Sequence, residues 1–161
     1  MMSMQYLLLL VLLSLLLVGE ANADGDERSA ILALMDQAFA AVGSGNPDDA
    51  RATQLPEGTS LSFRPRSGGT PGELEMRIST NEALVASGSG DDHKYFEQWI
   101  GDPTVIIRGP VAVVWGEYEF WIDDEFSHCG IDSVQLAKVD GNWKIANWMW
   151  TVEKEDCRPS D

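Results

Sequence analysis

The chain has no Gly-x-Ser-x-Gly elbow, no phosphate-binding loop ending in Gly-Lys-Ser/Thr, no His-Glu-x-x-His helix and no Asn-x-Ser/Thr sequon. Serine hydrolase, nucleotidase and metalloprotease readings therefore have no residues to stand on. Basic residues are few, 11 Lys and Arg against 26 Asp and Glu, for a net charge of −15. A surface this negative repels phosphate backbones and anionic lipid heads, which argues against nucleic-acid and membrane partners. Cysteine is limited to Cys129 and Cys157, without Cys-x-x-Cys spacing.

Long apolar stretches are limited to one, Leu7 to Val18, interrupted only by Ser14. As a helix it would rise about 18 Å, short of the roughly 30 Å hydrocarbon core of a bilayer. Gly19 and Glu20 break it, and Ala21-Asn22-Ala23 places small residues where a signal peptidase reads. The expectation is a signal peptide over 1–23, cleaved following Ala23, although Met1 to Tyr6 holds no Lys or Arg; an uncleaved anchor or a buried core helix is the alternative. The mature domain, 24–161, is then exported to the periplasm or the extracellular space, has no membrane contact after cleavage, and carries a net charge of −14 because only Glu20 of the charged residues is removed. In an oxidising compartment Cys129 and Cys157 pair most simply as one disulfide, worth roughly 3–4 kcal/mol on the chain-entropy account. Two free thiols or a metal pair are the alternatives, but two cysteines with the distant His93 and His128 make a poor zinc set. No metal and no cofactor are expected.

Ile31, Leu34, Met35, Ala38, Phe39 and Val42 recur at spacings of three and four, predicting an amphipathic helix that Gly43 stops. Asn46-Pro47-Asp48-Asp49 predicts a second, short helix start, ending near Pro56. Strands are predicted over Thr59–Arg64 and Glu73–Ser79, and short helices over Thr80–Ala86 and Asp91–Ile100. From Pro103 the pattern turns to long strands, Val105–Arg108, Val111–Ile122, Ser127–Val139 and Asn142–Val152, with Asp140-Gly141 a strong hairpin signal. Helices first and an antiparallel meander after imply an α+β domain, with helices on one face of a curved sheet.

With Asp140-Gly141 as a turn, Leu136 opposes Ile145, Val134 opposes Asn147 and Asp132 opposes Met149. With a turn centred on Asp124, Phe120 opposes His128 and Gly116 opposes Asp132. One face then carries Tyr118, Phe120, His128, Asp132, Trp143, Asn147 and Met149 among aliphatic residues, which is the makeup of a small-molecule pocket. The other carries Trp115, Trp121, Trp148 and Trp150, which a homodimer packed through that face would bury.

Trp99 to Cys157 resembles the nuclear transport factor 2-like family of small proteins, the lumazine-binding-like subgroup. The matching pieces are Asp102-Pro103-Thr104-Val105, Ala112-Val113-Val114-Trp115, Tyr118-Glu119-Phe120, Ser127-His128-Cys129-Gly130-Ile131-Asp132, Gln135-Leu136, Gly141-Asn142-Trp143-Lys144-Ile145, Thr151 and Cys157. The resemblance implies a cone, N-terminal helices packed on a curved antiparallel sheet, often dimeric. That superfamily also contains isomerases, dehydratases and polyketide cyclases of the SnoaL and ketosteroid-isomerase kind, so the fold does not choose a function.

Three readings follow. The first is a small-molecule-binding protein using Tyr118, Phe120, His128, Asp132, Trp143, Asn147 and Met149. The second is an isomerase- or dehydratase-type enzyme with Asp132 or His128 as acid or base. These two lie four residues apart on one strand, about 13 Å, so they cannot form a bonded dyad. The third is a non-catalytic dimeric interaction protein. Structural roles compete at both candidates: His128 as packing beside Phe120, Asp132 as an acceptor for backbone or tryptophan hydrogen bonds. His93 reads as solvated surface.

Overall fold

The structure, a computed structural model, describes residues 25–88, 92–155 and 157. The signal peptide expected at 1–23 lies outside the described residues. Helix α1 spans residues 25–44 and α2 spans Pro47–Thr53. Strand β1 (Gln54–Pro65), β2 (Leu74–Thr80) and α3 (Asn81–Gly88) follow, and then β3 (Tyr95–Arg108), β4 (Val111–Ile122), β5 (Glu125–Val139) and β6 (Asn142–Thr151).

The six strands form one sheet in the order β2-β1-β6-β5-β4-β3. All neighbours are antiparallel except β1 and β6, which run parallel, so the sheet is mixed rather than wholly antiparallel. The α+β architecture, helices before a curved sheet, is otherwise as the sequence implies.

The stripe on α1 does what its spacing predicts. Ile31, Leu34, Met35, Ala38 and Phe39 are buried against Ala112, Val114, Val134, Leu136, Trp143 and Ile145 of the inner sheet face. Removing such side chains from water stabilises the fold by about 1.5–3 kcal/mol each. Trp143 Nε1 donates to Glu27 Oε2 at 2.6 Å, and Lys138 donates to the same carboxylate, tying the start of α1 to β5 and β6. Gly43 does not end the helix. It lies inside α1, where a Cβ would meet Tyr95 O at 2.6 Å, and the left-handed residue is Gly45 at φ 65°. Asn46 caps α2 as expected, accepting from Asp48 N at 3.1 Å.

Two features differ from the sequence reading in ways that reshape the site. Residues from Tyr95 to Ile100 form the first half of β3, not a helix. Their alternation puts Tyr95, Glu97 and Trp99 inward and Phe96, Gln98 and Ile100 outward, opposite Glu117 to Ile122 of β4. The second feature is a bulge in β6. Val139 pairs with Asn142 and Leu136 with Ile145, but Gln135 then pairs with Asn147, leaving Ala146 as the extra residue. Beyond it the faces of β6 exchange: Val134 opposes Trp148 and Asp132 opposes Trp150. Trp148 therefore packs inward on Phe39, ring centroids 5.9 Å apart, while Asn147 and Met149 point outward.

Outward residues of neighbouring strands align in one row across the whole sheet: Thr104, Trp115, Ser133, Met149, Leu61 and Ile78. Trp115 is 50% exposed, Met149 45% and Ile78 63%. At one end of this face Cys129 and Cys157 form a disulfide with Cα atoms 5.7 Å apart. Cys129 also exchanges two backbone hydrogen bonds with Glu153, of 3.0 and 2.8 Å, so the chain after β6 is held back against β5.

Candidate functional site

Between the inner sheet face and the helices lies a cavity of about 620 Å³. Ala38, Ala41 and Val42 of α1, Ala50 and Thr53 of α2, and Leu84 and Val85 of α3 form one side. Tyr95, Tyr118, Phe120, Trp148 and Trp150 form the aromatic side, and Arg64, Glu97, His128 and Asp132 are its ionisable groups.

Asp132 is buried at the inner face of β5, opposite Gly116. Its Oδ1 accepts from Trp148 Nε1 at 2.8 Å, a bond that exists only because the β6 bulge turns Trp148 inward. Its Oδ2 is buried and receives no bond from a permanent donor. The Glu97 carboxyl on β3 also lines the cavity and interacts electrostatically with Asp132. Two carboxylates in contact cannot both ionise. Burial, then the Asp132 charge and the hydrogen bond to it, push Glu97 well above the usual carboxylate range. Burial pushes Asp132 up to about 7, while the bonds from Trp148 and Glu97 pull the other way. Both carboxyls line the cavity, and the pair is a proton-holding unit at neutral pH.

Tyr118 contributes its ring to the wall, not its hydroxyl. The hydroxyl donates to Thr151 O at 2.7 Å, and burial, followed by the charges of Asp132 and Glu97, raises its pKa beyond the ordinary tyrosine range. His128 stacks on Phe120 with centroids 4.8 Å apart, and its Nδ1 lies 3.1 Å from Ser127 Oγ. Burial, then the charges of Arg64 and Lys154, push it down to about 4, so the imidazole is neutral at pH 7.

Of the residues expected to meet a ligand, Tyr118, Phe120, His128 and Asp132 line the cavity. Trp143 does not: it is core beneath α1, its indole N–H spent on Glu27. Asn147 and Met149 are also outside it, displaced to the outer face by the Ala146 bulge. Asn147 instead accepts from Thr59 N at 3.0 Å and donates to Gln135 Oε1 at 2.9 Å. The same bulge corrects the tryptophan face, since Trp148 and Trp150 line the cavity and only Trp115 and Trp121 remain outside. His93 is exposed and its Nδ1 pairs with Asp123 Oδ2 at 2.7 Å.

Sequence reading missed Glu97 and Arg64. The alternation Tyr95-Phe96-Glu97-Gln98-Trp99 carries the strand signal for Glu97, but the polar residues before it in Asp91–Ile100 mask that period. Ser60, Ser62 and Arg64 share a period of two, yet the parallel pairing that turns them inward joins strands more than eighty residues apart and has no local signature. Among the described residues no group of three or more His, Cys, Asp or Glu side chains is disposed to hold a metal ion, and no helix is long and apolar enough to cross a membrane.

No family model matches the chain, and no curated protein matches it. Solved structures do. A Mycobacterium tuberculosis protein of unknown function superposes with a TM-score of 0.65 at 14% identity, covering 84% of this chain and 77% of its own. A nuclear transport factor 2-like superfamily protein from Salmonella enterica gives 0.64 at 12% identity, covering 86% and 99%. A protein from Novosphingobium aromaticivorans described as nuclear transport factor 2-like with a cystatin-like fold gives 0.62 at 11%, covering 87% and 90%. Identities this low carry architecture and not activity. The order of elements, the inward-facing cavity and these superpositions agree that the chain has the nuclear transport factor 2-like fold.

Proposed function

We propose that this is an exported small-molecule-binding protein whose ligand occupies the cone. The observation that carries this reading is the cavity itself. It has the volume of a small-molecule site, aromatic and aliphatic walls from every layer, and a few convergent polar groups. Export is supported by the Leu7–Val18 run with its Ala21-Asn22-Ala23 sequel, and by the Cys129–Cys157 disulfide, a bond that persists in oxidising compartments. The Ser127 to Asp132 and Gly141 to Ile145 segments support grouping the chain with the lumazine-binding-like proteins it resembles. A ligand that stays with the protein through gentle purification, and is absent from a variant whose cavity is filled by Ala50→Trp, is the expected result.

The Glu97–Asp132 pair favours a second reading, an isomerase- or dehydratase-type enzyme. A carboxyl near neutrality beside an apolar cavity is matched to moving a proton next to a carbonyl group. Asp132 would be the base, with His128 a neutral donor or acceptor further along the same strand. Turnover that persists unchanged in Asp132→Asn would dismiss it.

The outer face supports a homodimer through Trp115, one of the expected tryptophans, with Trp148 and Trp150 turned inward. Trp115, Met149, Ile78 and Ile106 are exposed on it, and large apolar side chains gathered on one sheet face are costly to leave in water.

A further inference from the structure

Arg64 is a cation inside the cavity without an anion. It follows Ser60 and Ser62 on the inner face of β1, where those serines pair with Trp148 and Trp150, and its side chain reaches the cavity beside Trp150 and Val152. Its Nε is buried and has no acceptor. One Nη makes a single long bond, 3.3 Å, to Ser62 Oγ. Among the described residues no carboxylate lies within ion-pair distance of it, although Arg28, Arg51, Arg66, Arg77 and Lys138 each have an acidic partner.

In a chain with 26 acidic residues, a guanidinium left without one on a cavity wall is unusual. A buried N–H with no acceptor is destabilising, and more so when the group is charged. The Nη groups, which are not among the buried unpartnered atoms and make only that one long bond, are where an anionic ligand group would supply an acceptor. Arg64 is also the only Lys or Arg among the described residues lining the cavity, and the Glu97 and Asp132 carboxyls, which line it too, repel negative charge. Among the described lining residues the Arg64 guanidinium is thus the group that attracts an anion. A planar guanidinium fork matches a planar carboxylate, and one fork does not balance the two charges of a phosphate monoester.

We propose that the cone selects a small amphiphilic monocarboxylate. Its carboxylate takes the Arg64 fork, its ring or hydrocarbon body lies between Phe120, Trp148 and Trp150, and a neutral hydrogen-bonding group faces Glu97. This rests on the reading of the cavity as a ligand site and adds the class of ligand.

The test is isothermal titration of the mature protein with a panel of one- and two-ring aromatic acids, each paired with its primary amide and its phosphate monoester. The acids should bind more tightly than their amides by about tenfold or more, the scale of one hydrogen bond to a charged group. Arg64→Met should abolish that preference, and a cooperative melting transition like that of the wild type shows that the variant is folded. Arg64→Lys should keep a reduced preference, having the charge without the fork. Amides bound as tightly as acids by the wild type, or an acid preference that survives Arg64→Met, would overturn the carboxylate and leave the cavity reading intact. Phosphate esters bound best would replace the carboxylate with a dianion. Binding of none of the three classes would remove the cavity reading and this proposal together.

Discussion

The properties of the site turn on how single carboxyls are solvated. Asp132 was legible in the sequence because it sits two residues after Gly130 on a strand whose facing partner, Tyr118, fixes the register. What made it unusual was not legible, because Glu97 and Trp148 arrive from β3 and from the displaced half of β6. The pair has a consequence for stability. A carboxyl whose folded pKa lies above its unfolded value of 3.8 stabilises the fold at low pH, and that contribution is lost as pH rises toward and through about 7. His128 acts in the opposite sense, its folded value of about 4 lying below 6.5, so its effect on the slope is half spent at pH 6.5 and fades above it. Between about pH 6.5 and pH 8 the carboxyl pair therefore sets the sign, and the wild-type melting temperature should fall. Asp132→Asn keeps an acceptor for Trp148 Nε1 but does not ionise, so its melting temperature should change less over the same interval. Circular-dichroism melts at the two pH values check this, and an equal or steeper fall in the variant would refute it.

At the scale of the element, the deciding feature is one extra residue. Hairpin signals at Asp140-Gly141 and near Asp124 gave correct pairings close to the turns, since both turns need left-handed residues: Asp123, Asp124, Asp140 and Gly141 have φ of 53°, 66°, 50° and 81°. No turn rule reaches Ala146, and every side-chain direction after it inverted. The bulge is supported from outside the hairpin. Asn81, fully buried at the start of α3, donates from Nδ2 to Leu55 O at 2.9 Å and Ala146 O at 3.3 Å, occupying backbone carbonyls that the ladder leaves open. Gly58 lets β1 pass beside it: a Cβ there would stand 1.8 Å from Ala146 O and 2.4 Å from Asn81 Nδ2. Backbone on one side and a locked amide on the other leave little room to yield. Gly58→Ala should destabilise by about 3 kcal/mol, at the upper end of overpacking costs, measured by urea unfolding. A loss below about 0.5 kcal/mol would mean that the β1–β6 crossing is far looser than this packing implies.

For the whole molecule, the helix stripe and the four long strands carried the fold class, because local periodicity reports burial wherever one face of an element is dry. The parallel β1–β6 pairing, which makes the sheet mixed and brings Arg64 into the cone, depends on distant chain segments and had no such signal. The mostly apolar inner cavity and the apolar side chains exposed on the outer face lie on opposite sides of the sheet. If the outer face pairs two copies, Trp115→Glu at its centre should give a soluble monomer with an unchanged cavity, as read by sedimentation velocity. A variant sedimenting as the wild-type dimer would move the interface elsewhere.

The central claim is that the cone holds a small molecule, and native mass spectrometry of the protein purified gently from its native host tests it most directly. The account predicts a reproducible extra mass that denaturation releases and that the Ala50→Trp variant lacks. An empty wild-type protein, or an extra mass that Ala50→Trp retains, would contradict it.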